Sequence, residues 1–191
     1  TATATTLPYT KEPVGIDIEV DAETGQFFVS DDGKKTIWVF TLTATGQLTR
    51  VRSFLTSATG YGNQDPEGLT FATINKEKKL FTVNGAGRKI HVQTSGANGM
   101  FDGVAPNGDD SVTSFSVAGI GIGDPEGIDY NPATNTLYVV DRGGEKLFEI
   151  TPAGQLVRAI NLRQYFEPDS RNPTSLRSEF NPADVTIAPR S

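Results

Sequence analysis

One short string recurs along this chain, and its spacing constrains the fold more than any other feature. Asp65-Pro66-Glu67-Gly68-Leu69-Thr70 and Asp124-Pro125-Glu126-Gly127-Ile128-Asp129 are near-copies of each other. Glu12-Pro13-Val14-Gly15-Ile16-Asp17 and Asn181-Pro182-Ala183-Asp184-Val185-Thr186 are looser versions. Measured between the prolines, the spacings are 53 residues (Pro13 to Pro66), 59 (Pro66 to Pro125) and 57 (Pro125 to Pro182). A period of roughly 50 residues points to a propeller or another stacked array.

Each period holds the same sequence of short strands. Val14-Gly15-Ile16-Asp17-Ile18-Glu19-Val20 alternates apolar and polar residues, the period-2 mark of a half-buried strand. Gln26–Ser30, Thr36–Thr41 and Gln47–Phe54 read as three further strands, joined by turns rich in Gly, Asp and Asn. The third period repeats the plan, and Thr45-Gly46-Gln47-Leu48 matches Ala153-Gly154-Gln155-Leu156 in place as well as in sequence. Four strands in a meander make one propeller blade, so the expected fold is all-β, with about three blades. The boundaries are 1–11 as a linker or edge strand, 12–64 as the first blade and 65–123 as the second, with a Gly/Asn/Asp-rich insertion at 94–110. Residues 124–180 form the third blade, with a helical turn expected near Leu176–Phe180, and 181–191 supply the first strand of an incomplete fourth. Three blades do not close a ring and would leave strand edges open. The chain is therefore expected to be a fragment, with the remaining blades in a second chain or in the rest of a precursor; a ring made of two copies is the other arrangement.

Composition narrows the function. A net charge of −6 without a basic tract argues against a nucleic-acid partner. The apolar runs fall far short of the roughly 20 residues that span a bilayer as a helix. The absence of cysteine excludes disulfides, thiolate zinc sites and a cysteine nucleophile. Thr1–Thr6 has neither the basic start nor the apolar core of a signal peptide.

The opening turn of each repeat is the first place to look for chemistry. The first strand of a blade lines the central channel, so residues at its start converge on the axis. Glu67 and Glu126 hold equivalent places there, while Val14 and Ala183 replace them in the other two copies. Gathered carboxylates repel, and a hard, oxygen-preferring cation such as calcium offsets that repulsion. The candidate metal ligands are Glu67 and Glu126, with the adjacent Asp65 and Asp124. The competing reading makes Pro-Glu-Gly blade punctuation, with Pro presetting the turn and Gly allowing close packing.

Other polar residues invite plainer readings. Asp31, Asn84 and Asp141 each end a second strand, where an Asx side chain caps the following hairpin. Asp102, Asn107, Asp109 and Asp110 lack EF-hand spacing and read as part of a solvated loop. His91, the only histidine, faces outward or into a gap between sheets and has no serine-nucleophile motif beside it. Trp38, Phe40, Phe81, Tyr138 and Phe148 fall at blade-equivalent places and read as core between blades.

The repeated Asp-Pro-Glu-Gly-Ile/Leu, with Leu137-Tyr138-Val139-Val140-Asp141-Arg142 and Lys146-Leu147-Phe148-Glu149-Ile150, resembles the bacterial six-bladed propellers that include NHL-repeat, phytase-like, SdiA-regulated and gluconolactonase-type proteins. The resemblance covers most of 12–162. It implies that a Glu before Gly at the opening of a strand binds a catalytic metal in gluconolactonase-like members, the position of Glu67 and Glu126. The Asn and Asp that complete that family's site have no counterpart at Val14 or Ala183. Similar repeats in large secreted bacterial proteins imply an extracellular location. Two functions follow: a binding or structural module, stabilised by calcium, within a larger assembly, or a calcium-dependent hydrolase of phosphate esters or lactones at the axis. An enzyme of that kind needs at least three converging oxygen ligands and an open coordination position, and two acidic positions place the module first.

Overall fold

A computed structural model describes residues 9–19, 25–165 and 181–188. Among these, twelve strands form three sheets of four, each strand paired antiparallel with its neighbour in sequence. The first sheet holds β1 (Pro13–Glu19), β2 (Gln26–Asp31), β3 (Thr36–Leu42) and β4 (Leu48–Leu55). The second holds β5 (Pro66–Ile74), β6 (Glu77–Asn84), β7 (Lys89–Thr94) and β8 (Ser111–Ser116). The third holds β9 (Pro125–Asn131), β10 (Thr136–Asp141), β11 (Lys146–Ile150) and β12 (Leu156–Asn161). The blades and their order match the sequence reading. The helical turn expected near Leu176–Phe180 lies outside the described residues, as do most of 1–11 and 189–191. No helix among the described residues is long and apolar enough to cross a membrane.

Alternation decides how the blades stack. Along β6, Leu80 joins a cluster with Phe28, Ile37, Val39, Phe54 and Leu69, between the first and second blades. Its neighbours Phe81 and Val83 point the other way, to Ile128, Leu137, Val139, Phe148 and Ile150 of the third blade. The middle blade is thus buried on both faces, and no residue of β6 from Leu80 to Asn84 is exposed. Each such apolar side chain contributes roughly 1.5–3 kcal/mol on burial, so the two seams hold the stack together. Phe81 and Phe148 lie in the second seam, and Phe40 is fully buried. Tyr138 is buried with its hydroxyl 3.2 Å from Arg158 Nη2. Trp38 is half-buried and stacks on Tyr9, with ring centroids 6.1 Å apart.

The inner strands approach more closely than side chains permit. A Cβ built on Gly15 would lie 2.9 Å from both the Glu67 carbonyl oxygen and Gly68 Cα. One on Gly68 would lie 2.7 Å from the Glu126 carbonyl oxygen and 2.8 Å from Gly127 Cα. On Gly127 it would meet Asp184 Cα at 2.5 Å. Each opening turn therefore sits backbone-to-backbone on the next, and Ala183–Asp184 occupies the fourth place. Residues 181–188 take that place without pairing into a sheet. Polar links reinforce the contacts. Ser30 Oγ donates to the carbonyls of Gly15 (3.2 Å) and Glu67 (2.5 Å), joining the first two blades. Asp129 accepts from Thr70 Oγ1 at 3.0 Å and from the Ile187 amide at 2.5 Å, joining the second blade, the third and the 181–188 segment.

Gly68→Ala is expected to destabilise the protein by about 1–3 kcal/mol, because a methyl there meets main chain that has nowhere to move. Gly119 has open space around its would-be Cβ, so Gly119→Ala should stay within about 0.5 kcal/mol of the parent. Urea unfolding of the two variants, compared at unchanged m, tests the difference.

Candidate functional site

The backbone contact that spaces the blades also sets the positions of the carboxylates. Glu67 and Glu126 are the residues just before the stacked glycines, close enough for the charge of Glu126 to act on Glu67. Glu67 is held up at about pH 8 by burial, then by the charges of Glu126 and Asp65. Glu126 is further tied by Arg142, whose Nη1 lies 3.2 Å from its Oε1. The neutral, protonated form of Glu67 avoids the repulsion that a second bare carboxylate would meet beside Glu126.

The other two candidate ligands also meet the hairpins of their blades. Asp65 Oδ2 accepts from the Ala86 amide at 2.6 Å, and its Oδ1 lies 3.9 Å from Lys35 Nζ, so it caps the β6–β7 hairpin. Asp124 packs its Cβ near Gly143, on the corresponding hairpin of the third blade. Val14 is exposed and brings no ligand. Glu67 and Glu126 thus converge at the opening turns, with Asp65 near enough to raise Glu67, flanked by Arg142 and Lys35. This arrangement can keep a proton on Glu67 or exchange it for a cation.

The Asx residues that end the second strands do more than cap hairpins. Asp31 accepts from the Lys34 amide of its own hairpin, and also from the amides of Lys11 (2.7 Å) and Glu12 (3.0 Å) and from Trp38 Nε1 (3.1 Å). Asp141 accepts from the amides of Gly123 and Asp124 at 3.1 and 2.8 Å. Both carboxylates therefore clamp the opening turn of their own blade. Asn84 caps its hairpin through the Gly87 amide (2.7 Å), and in that blade Asp65 supplies the second link. Sequence reasoning found the caps but not the clamps, since the strand bearing the Asx and the turn it grips are about twenty residues apart. The signal was present in the co-occurrence of Asx and opening turn in every repeat.

The insertion departs from the expected solvated loop. Asp110 is 7% exposed, and its carboxylate accepts from the amides of Gly96 (3.0 Å), Asp102 (2.8 Å) and Gly103 (2.7 Å), and from Gln93 Nε2. Phe101 is buried against Phe28 and Phe71, and Arg52 Nε donates to its carbonyl at 2.8 Å. One buried acid and one buried aromatic thus fold the insertion back over the first seam, an outcome that its Gly/Asn/Asp composition concealed. Asp102, Asp109 and Asp110 are the one group of three potential metal ligands among the described residues, with oxygens within 4.8 Å of one another. Their oxygens already accept N–H groups, including the Asn98 and Asp109 amides. His91 occupies the gap between sheets, 3% exposed, its ring stacked 5.9 Å from that of Tyr61. Burial holds its pKa down at about 4, so the ring is neutral and sits in the seam rather than beside the paired glutamates.

No family model matches the sequence, and no curated protein matches it. Solved structures do. A protein from Lactobacillus plantarum aligns at TM-score 0.54 and 19% identity, over 78% of this chain and 41% of its own. A chain of the nidogen/laminin complex aligns at TM-score 0.52 and 13% identity, over 82% of this chain and 49% of its own. A putative 6-phosphogluconolactonase from Bacteroides uniformis gives a TM-score of 0.47 and 14% identity, over 81% of this chain and 43% of its own. The fold is that of a β-propeller. This chain spans less than half the length of each of those structures.

The pair at the opening turns links folding to pH. Glu67 binds its proton up to about pH 8 when folded but only to about 4.5 when unfolded. The folded state therefore carries the extra proton between those values, and its contribution to stability is complete below pH 4.5 and lost as pH rises through 8. Glu67→Gln keeps the size of the side chain without the ionisation. Urea midpoints taken from pH 4.5 to 9 should fall for the parent relative to Glu67→Gln; parallel profiles would mean that folding does not raise the pKa of Glu67.

Proposed function

We propose that this chain is a β-propeller binding and structural module of a secreted or extracellular bacterial protein. Its remaining blades come from the rest of a longer polypeptide or from a second chain. The observation that carries this reading is the repeated backbone contact at Gly15, Gly68 and Gly127, which passes on to Ala183–Asp184 in the position of a following blade. Structures about twice as long that share the fold agree with the presence of further blades. Two converging acids, one of them paired with Arg142, fall short of the three oxygen ligands and open position that metal-assisted hydrolysis requires. This favours the module over the hydrolase.

One observation favours a role for calcium within the module. Main-chain packing brings Glu67 beside Glu126, and Glu67 keeps its proton to about pH 8. Calcium takes six to eight oxygens at about 2.3–2.6 Å, from carboxylates, main-chain carbonyls and water. Glu67 and Glu126 would be its protein carboxylates here, and the ion would supply the charge that the proton now supplies.

Melting the chain in rising calcium at pH 8 tests this role. A cation held only by the folded state raises the melting temperature, by a free energy of about 2.7 kcal/mol at a hundredfold excess over Kd. The rise should vanish in the Glu67→Gln/Glu126→Gln double variant. A melting temperature unmoved at millimolar calcium removes the ion from the proposal and leaves the module standing. Assay against phosphate monoesters and lactones tests the module itself. No turnover that depends on Glu126 is expected, and calcium-dependent turnover abolished by Glu126→Gln would establish the hydrolase instead.

A further inference from the structure

The two seams put different rings in the same place. His91 is the third residue of β7, as Phe148 is of β11. Phe148 fills its position in the second seam as an apolar ring. His91 is as deeply buried in the first, and neither of its ring nitrogens has a hydrogen-bond partner among the described residues. Packing alone favours phenylalanine there, because buried polar atoms left unbonded cost stability. What a histidine adds is a charge that can be switched on. We propose that His91 is a proton-operated latch, whose protonation opens the first seam at Tyr61 and frees the insertion from the first blade.

A short chain of contacts joins the ring to the insertion. Tyr61, from the connection between β4 and β5, stacks on His91 with centroids 5.9 Å apart and planes 25° apart. It also packs against Phe54 of β4, at 6.2 Å. Its hydroxyl donates to Gln93 Oε1 at 3.0 Å and lies 3.3 Å from Thr82 Oγ1. Gln93 Nε2 donates to Asp110, the carboxylate that gathers the amides of Gly96, Asp102 and Gly103. Phe101, the other anchor of the insertion, belongs to the same apolar cluster as Tyr61 and Phe54. Displacing Tyr61 therefore strips Gln93 of a bond and loosens both anchors together.

The groups around the ring give a charged imidazole little support. Burial disfavours the charge most, Lys89 on the same strand adds to this, and only the main chain of Tyr61 works the other way. From the insertion, Asp110 is engaged by its N–H donors and acts on Tyr61. Arg52 of β4 and Lys78 of β6, which lie over the rings of Phe28 and Phe71, are cations themselves. An unpaired buried charge is too costly to keep, so the ring takes a proton by reaching water, and Tyr61 must move aside. In the closed seam His91 protonates only near pH 4, against an ordinary value of 6.5. The contribution of the neutral ring to stability is thus complete above pH 6.5 and is lost as pH falls through 4, opposite in sense to that of Glu67. Between those values each pH unit favours the open, protonated seam by about tenfold.

His91 is the only histidine of the chain, so its Cε1–H resonance reports the protonation of this ring alone. In the full, folded chain that resonance should titrate with a midpoint near 4. Amide hydrogen exchange from pH 7 to 4.5, expressed as protection relative to the unstructured rate, reads the latch itself. In the parent, protection of the Asp102 and Gly103 amides should fall by up to about tenfold per pH unit below 6.5, while amides of β10 and β11 keep theirs. His91→Phe, which supplies the ring that the third blade uses, should abolish the fall at Asp102 and Gly103; His91→Leu serves if that variant does not fold. Should neither fold, the contrast within the parent decides. The proposal is overturned if variant and parent lose protection in parallel, if β10 and β11 lose it together with the insertion, or if His91 titrates near 6.5 in the folded protein.

Discussion

Everything in this molecule is spaced by one contact, the seating of each opening turn on the next with no side chain between them. Gly15 touches Glu67 and Gly68, Gly68 touches Glu126 and Gly127, and Gly127 touches Ala183 and Asp184. Main chain against main chain gives the shortest separation that two strands of different sheets can reach. Larger residues at those positions would push the inner strands apart and open both apolar seams at once, since β6 is packed against neighbours on either side. The contact thus couples a local requirement for glycine to the burial that stabilises the whole stack.

The same closeness creates the electrostatic problem at the opening turns. Residues just before the glycines are brought together whatever their charge, and in two successive blades they are glutamates. Burial raises the pKa of Glu67, the charge of Glu126 raises it further, and Arg142 answers on the other side. The carboxylates at the ends of the second strands meet a different fate. Asp31 and Asp141 are surrounded by backbone N–H groups, which satisfy a buried acid without any cation. Chemically similar side chains thus become a carboxyl that keeps its proton in one place and a mechanical clamp in the other, according to the donors around them.

The insertion shows how far composition misleads when one residue governs a loop. Its glycines, asparagines and aspartates read as a solvated excursion, and Asn98, Gly99, Asn107 and Asp109 are indeed exposed. Asp110 and Phe101 are not, and two buried anchors are enough to lay the segment along the first blade. Asp110 gathers amides from both ends of the loop, Gly96 at one and Gly103 nearer the other. A pattern-based reading weights every residue of a loop equally and so misses an anchor that works through long-range donors.

The blades, their number and most strand limits were legible in the chain, because strand alternation and turn residues act over a few neighbours and the repeat showed each of them three times. That Glu67 and Glu126 stand at equivalent places, each just before a stacked glycine, could be read from the period. Sequence could not say that Asp65 and Asp124 would turn to hairpins, since that depends on which amide each meets first, Ala86 in the case of Asp65. Nor could it show that Tyr61 would tie the ring of His91 to Gln93 and, through it, to Asp110. Periodicity transmits what every repeat has in common; contacts unique to one blade arise only when the sheets are stacked, and the tertiary structure alone decided those.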